Sequence, residues 1–356
     1  MRTLSRESGT GALRAGLRAA LLILLSVACG VPGSDVARGG VAGNAGAAAD
    51  RLASRAGSSS GEEAAAGGAG KRVSPSPIDL PLVAVDGRLL TRVTVAGAGT
   101  HWFIIDTAAG RSLISAALRR ELDVPDEDTR LSMVTGATGQ SIMEFVRLPA
   151  LRVGDDAHER PWVIVADIPD FRRYGGRKVD GILGVDVLAE YDVALDVREG
   201  LLRLHPRDGS AEARIRATSD GVPFHSSVAE GFVQFTALLH GDSVPALFDT
   251  GAQRGTLNWP AAALAGIAAD SDGVRGDASG ARGMNGRRMA AHRYTFEELC
   301  IGERCLPPTE LRILDLPVFE AIAEEAAPAV LIGADVLNEC SLLLSYSTRR
   351  LHLCYQ

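Results

Sequence analysis

Residues 182–204, ILGVDVLAEYDVALDVREGLLRL, align without a gap on residues 331–353, LIGADVLNECSLLLSYSTRRLHL. The offset of 149 sets Gly184 on Gly333, Asp186 on Asp335, Val187 on Val336, Leu188 on Leu337 and Glu190 on Glu339. Upstream, WFIIDTAAGRSLIS (102–115) matches ALFDTGAQRGTLNW (246–259) at an offset of 143, which sets Asp106 on Asp249. The second copy therefore holds six more residues between the blocks. A unit of about 130–140 residues is domain-sized, too long for one turn of a solenoid. Whatever one copy folds into, this chain makes it twice.

From residue 78 onward, short apolar runs alternate with Gly and Asp turns, as in LPLVAVDG, LLTRVTVAG and HWFIID. These are strand and hairpin signals. Helical stretches are few and short: 112–122, 185–191 and 260–267. In each copy a buried strand (Phe103-Ile104-Ile105; Ala246-Leu247-Phe248) ends in Asp-Thr and small residues. An acid at the end of a buried strand is costly unless it is hydrogen-bonded or functional.

The N-terminus reads as an address. Arg2, Arg6, Arg14 and Arg18 precede the apolar run AALLILLSVA (19–28), too short for a mature membrane span and suited to a secretory signal. Cys29 follows in a Leu25-Ser26-Val27-Ala28-Cys29 context that resembles a bacterial lipobox, with Ser26 where Leu is usual. Lipidation at Cys29, simple cleavage and an uncleaved anchor all place the body outside the cytoplasm. Residues 30–75 are rich in Gly, Ala and Ser without a hydrophobic period, and read as a disordered linker spanning roughly 35–40 Å. The expected organisation is signal 1–29, linker 30–75, N-terminal lobe 76–208 and C-terminal lobe 209–356. The chain carries 37 basic and 44 acidic residues, and the acid excess lies in the body, which disfavours binding to a phosphate backbone.

Phe248-Asp249-Thr250-Gly251-Ala252 with Leu331-Ile332-Gly333, and Ile105-Asp106-Thr107-Ala108-Ala109 with Ile182-Leu183-Gly184, resemble the signature of the retropepsin-like and pepsin-like aspartic peptidases. The resemblance covers roughly 78–356. It implies a mainly β, bilobal double β-barrel with short helices, an intramolecular pseudo-dimer acting as a monomer. Asp106 and Asp249 would meet at the lobe interface as the catalytic pair. Thr107, Ala108, Thr250 and Gly251 would support them, with peptide or protein as substrate and neither metal nor cofactor. Two adjacent carboxylates cannot both ionise, so they share a proton and divide the roles of general base and general acid. The family's covering flap suggests two Gly-rich segments, with Thr135, Gly136 and Gly139 in the first copy and Ser279 and Gly280 in the second. Trp102, Met133 and Trp259 are further candidates for the cleft wall.

One departure stands out. Ala108 occupies the position of the motif glycine. A positive φ there would cost about 1 kcal/mol or more and would favour an alternative, an inactive peptide-binding relative of the same fold. Among the cysteines, Cys300 and Cys305 flank a tight hairpin, while Cys340 and Cys354 sit on the arms of the last one, so 300–305 and 340–354 are the simplest pairings in an exported protein. Asp186 and Asp335 read as structural charges at the start of short helices. The chain contains no HExxH, GxSxG or GxxxxGK motif.

Overall fold

The computed structural model describes residues 23–24, 75–167, 172–215, 220–225, 231–282, 288–337 and 341–354. The signal's Cys29, the linker and Cys340 lie outside them. The protein is mainly β, and no described helix exceeds six residues. The stretch 112–122, expected as helix, divides: Leu113–Ser115 is a strand and Ala116–Glu121 a helix capped by the Ser115 hydroxyl. The β-branched Ile114 lies between two partner strands, and that pairing overrides local helix propensity.

Each lobe is built on one large sheet, and the two sheets share a strand order. In the first the order is Thr129–Gly136, Gly139–Arg147, Trp162–Ala166, Leu113–Ser115, Arg177–Leu183, Gly99–Ile105, Arg88–Val95, Ala150–Val153 and Asp156–Glu159. In the second it is Arg275–Arg282, Arg288–Phe296, Thr309–Ile313, Thr256–Leu257, Val330–Ile332, Asp242–Phe248, Gln234–Leu239, Leu299–Ile301 and Arg304–Cys305. The internal repeat is therefore repeated topology over these nine strands, and the first sheet adds Ile23–Leu24, Val83–Val85 and Arg173–Tyr174.

A third sheet of six strands joins the lobes. Tyr191–Asp196 pairs antiparallel with Ser341–Ser345, so the closing hairpin of each lobe becomes half of a shared floor. Leu195, Leu202, Leu342 and Leu344 are fully buried there, within one apolar cluster that runs through both lobes. At about 25 cal/mol per Å² of apolar surface, that continuity ties the lobes into one cooperative unit. Cys300 and Cys305 face each other across their hairpin and are disulfide-bonded. Cys354 is disulfide-bonded as well.

Candidate active site

In each lobe the Asp-Thr segment leaves the end of a buried strand. Gly99–Ile105 runs parallel to Arg177–Leu183, and Asp106 N–H donates to the Leu183 carbonyl at 3.0 Å. The second lobe repeats this with Val330–Ile332, and Asp249 N–H donates to Ile332 at 2.9 Å. Gly184 and Gly333 end the partner strands. A Cβ at either would strike the chain beyond the Asp-Thr segment, at 2.6 Å from the Ala109 carbonyl and 2.5 Å from Arg254. Asp186 and Asp335 brace that same chain rather than merely charging a helix start. Asp186 accepts from the Ser112 N–H and hydroxyl, both at 2.8 Å, and Asp335 accepts from Gly255 N–H at 3.1 Å. Burial outweighs these bonds and raises both carboxyls, that of Asp335 to about 6.

The two loops meet across the lobe interface. Thr107 N–H donates to the Thr250 hydroxyl and Thr250 N–H to the Thr107 hydroxyl, each at 3.1 Å. The hydroxyls in turn donate across the interface, Thr107 to Phe248 O and Thr250 to Ile105 O, each at 2.9 Å. This four-bond lattice is two-fold symmetric to the precision of the distances. It fixes the carboxyl-bearing residue just before each threonine.

Asp106 and Asp249 are fully enclosed, at 1% and 0% exposure. Asp106 Oδ1 accepts from Ala108 N–H at 2.9 Å, and Asp249 Oδ1 accepts from Gly251 at 2.8 Å and Ala252 at 3.1 Å. The other oxygens, both Oδ2, are buried with no donor, and the two carboxyl groups lie within hydrogen-bonding reach of each other. Two buried acceptors side by side are costly, and one shared proton relieves them. Burial raises the Asp106 carboxyl to about 7, against the opposing pull of Ala108 N–H and Arg88. Burial and then the charge of Asp106 raise the Asp249 carboxyl well above the usual range.

Ala108 has no positive φ and is fully buried. The strain that its methyl would cause in a left-handed conformation does not arise. Gly251 differs, because a Cβ there would lie 2.3 Å from the Asp106 carboxyl carbon.

Residues 90–187 match the family model described as Aspartyl protease. That stretch, most of the first lobe, is similar to a retropepsin-like aspartyl protease domain. A search of curated proteins finds no match. The aspartyl protease match spans Asp106, its loop, the first hairpin and the Gly184 strand, and the second lobe repeats those parts without falling within it.

The remaining candidates divide. Thr135, Gly136 and Gly139 lie on the hairpin Thr129–Arg147, with Gly136 paired to Gly139 and Ala137-Thr138 at its tip. Ala137 is fully buried in a cluster that includes Ala108, Ala252 and Ala281, so the tip packs against the loops that carry the two aspartates. Ser279 and Gly280 are not at a hairpin tip. They sit in an irregular stretch of the strand Arg275–Arg282, where Asp277 draws the chain toward buried Arg312. The wall candidates lie elsewhere. Trp102 packs beneath Arg92 and Arg177, Trp259 meets His292 edge-on, and Met133 is 51% exposed on the hairpin. Sequence reading missed Arg88 and Gln253, which bridge the lobes beside the site. The available signal was a cation opening an apolar strand directly after the Asp86-Gly87 turn.

Proposed function

We propose that this chain is an exported aspartic endopeptidase in which Asp106 and Asp249 together activate a water molecule against a peptide carbonyl. The observation that carries the reading is the pair itself: two enclosed carboxyls in hydrogen-bonding reach, held by a symmetric threonine lattice. With one proton between them, the ionised member takes a proton from water as it attacks. The protonated member hydrogen-bonds the scissile carbonyl and then supplies the proton that the leaving amine requires. The oxygens free of backbone donors, Asp106 Oδ2 and Asp249 Oδ2, are the ones placed to meet water and substrate. The hairpin Thr129–Arg147 covers the bound peptide and excludes solvent, which strengthens every interaction beneath it.

The ordinary backbone of Ala108 and the symmetric lattice beside it support this reading over its rival, a peptide-binding protein disabled by Ala108. The signal-like N-terminus and the paired cysteines support export, with Cys29 as the candidate lipid-bearing residue.

The test is cleavage of a diverse peptide pool from about pH 3 to about pH 7 by the full chain, refolded under oxidising conditions and read by mass spectrometry. Asp106→Asn and Asp249→Asn should each reduce cleavage on the order of 10³-fold or more. Cleavage that survives either substitution rejects the dyad. A folded chain that cuts nothing at any pH rejects the peptidase.

A further inference from the structure

The Asp86-Gly87 turn, with φ of 50° and 69°, sends the strand Arg88–Val95 away from the lobe interface. Such a turn matches the twist of a tight hairpin. Arg88, its first residue, is wholly buried, and its guanidinium donates to the carbonyl of Gly251 in the opposite lobe. Gln253 Nε2 returns the contact, donating to Asp86 O at 2.5 Å. This corner of the first lobe is thus bonded to the very loop that carries Asp249.

The repeat shows what the second lobe has instead. Leu90 pairs with Ile104 and Gln234 with Leu247, each partner two residues before the lobe's aspartate. The residue two positions earlier is Arg88 in one lobe and Phe232 in the other. Both are fully buried, but Phe232 belongs to the apolar cluster around Ala108. A second asymmetry lies at the loops. The absent Cβ of Gly251 would press on the Asp106 carboxyl. The repeat sets residue 108 on residue 251, which assigns the Ala108 methyl to the Asp249 side of the pair. Asp106 has a cation and a glycine beside it, and the repeat assigns a phenylalanine and a methyl to the matching positions on the Asp249 side.

We propose that Arg88 is a positioning residue that, together with Ala108, breaks the symmetry of the site, so that Asp106 is the resting carboxylate and Asp249 the resting acid. The proposal rests on the reading of these two residues as the working pair. The charge that weighs on Asp106 is that of Arg88, with Asp249 reaching it as a hydrogen bond, whereas the charge that weighs on Asp249 is that of Asp106. A single cation on one side of a buried pair favours the ionised form on that side, and a methyl that excludes water disfavours it on the other. Asp106 would then take the proton of the attacking water, and Asp249 would face the carbonyl.

The experiment is a carboxyl-carbon NMR titration of the full chain labelled at aspartate, with Asp106→Asn and Asp249→Asn assigning the signals. The pair titrates in two coupled steps. The expected result is that the lower step is carried mainly by Asp106. In Arg88→Met the proton affinity of Asp106 should rise about tenfold or more, and Arg88→Lys should restore most of the original value. Ala108→Gly should lower the proton affinity of Asp249. A lower step carried by Asp249 overturns the assignment, as does an Asp106 signal unmoved by loss of the cation. If Arg88→Met does not fold, Arg88→Lys and Ala108→Gly still decide the order. The titration needs no substrate. A chain with the ordered titration but no cleavage keeps this assignment and loses the peptidase reading, whereas a cleaving chain with the order reversed does the opposite.

Discussion

The hairpins Thr129–Arg147 and Arg275–Phe296 occupy the same place in their lobes and are held by different means. In the second, Asp277 Oδ2 accepts from Arg312 Nε at 2.8 Å, Ser279 bonds the other oxygen, and the two charged side chains are 1% and 6% exposed. Burial works against the Asp277 charge, but Ser279 and Arg312 prevail and hold its carboxyl below the usual range. Strand register shows that Arg312 stands where the first lobe has Ile164, and Asp277 where it has Ser132. In the first lobe these positions carry no charge, and the hairpin's own ion pairs, Glu144 with Arg119 and Arg147 with Asp128, are partly exposed. Its middle carries Leu131, Met133 and Ile142 at 56%, 51% and 66% exposure, and its tip is seated by Ala137. Duplication supplied two flaps, and the ion pair fixed one of them in place.

Removing half of a buried ion pair leaves an uncompensated charge. Arg312→Met should therefore destabilise the fold by about 3–5 kcal/mol in denaturant unfolding. Ile164→Met, the same position in the first lobe, should cost less than about 1.5 kcal/mol. Copying the first lobe outright, with Arg312→Ile and Asp277→Ser together, should recover most of the loss. If the double variant is as unstable as Arg312→Met, the bolt is not the difference between the hairpins.

The loops can be exchanged in the same way. Gly251→Ala places a methyl 2.3 Å from the Asp106 carboxyl carbon, and something must shift. A displacement of about 1 Å in a catalytic group costs on the order of 100-fold, so kcat/KM should fall by about that factor. Ala108→Gly should leave it within about tenfold, because Ala108 is already unstrained. Equal losses at the two positions would mean that the site is more symmetric than its neighbours imply.

Acidity tests what the lobes share. Asp106 and Asp249 hold their protons more tightly in the folded protein than in the unfolded chain. Between the ordinary carboxyl value of 3.8 and about 7, the folded state binds more protons, so stability falls as pH rises through that window. The melting temperature should drop by several °C from about pH 4 to about pH 7, a loss on the order of 1–2 kcal/mol. Asp106→Asn should flatten the slope. A melting temperature that climbs across this range would contradict the closed, desolvated pair.

Much of this was legible in the sequence because the repeat is long and its motifs are local. Asp-Thr followed by small residues, and the paired Gly184 and Gly333, point to strand ends and close approaches before any coordinates are seen. What could not be read is side-chain traffic between distant segments. Arg88 and Gly251 are 163 residues apart, and no local pattern marks their bond. Ser279 and Gly280 read as a flap tip because glycine-rich turns and irregular strands have the same composition. Only the pull of Arg312, more than 30 residues later, tells them apart.

On the proposed function, the unequal hairpins also bear on which one admits a substrate. The pair is sealed in this structure, so a peptide would enter only when a cover lifts. Lifting the first hairpin gives up the packing of Ala137, a small group whose burial contributes little, and the contacts of Thr138. Lifting the second separates Asp277 from Arg312 in a buried setting, which costs several times more. Amide exchange at Thr135–Gln140 should accordingly be faster than at Arg275–Ala281 by at least about tenfold, measured by mass spectrometry near neutral pH. The Arg312→Ile, Asp277→Ser variant should bring the second hairpin's exchange up toward that of the first. Equal exchange in the unmodified protein would mean that the tip contacts, not the ion pair, govern opening.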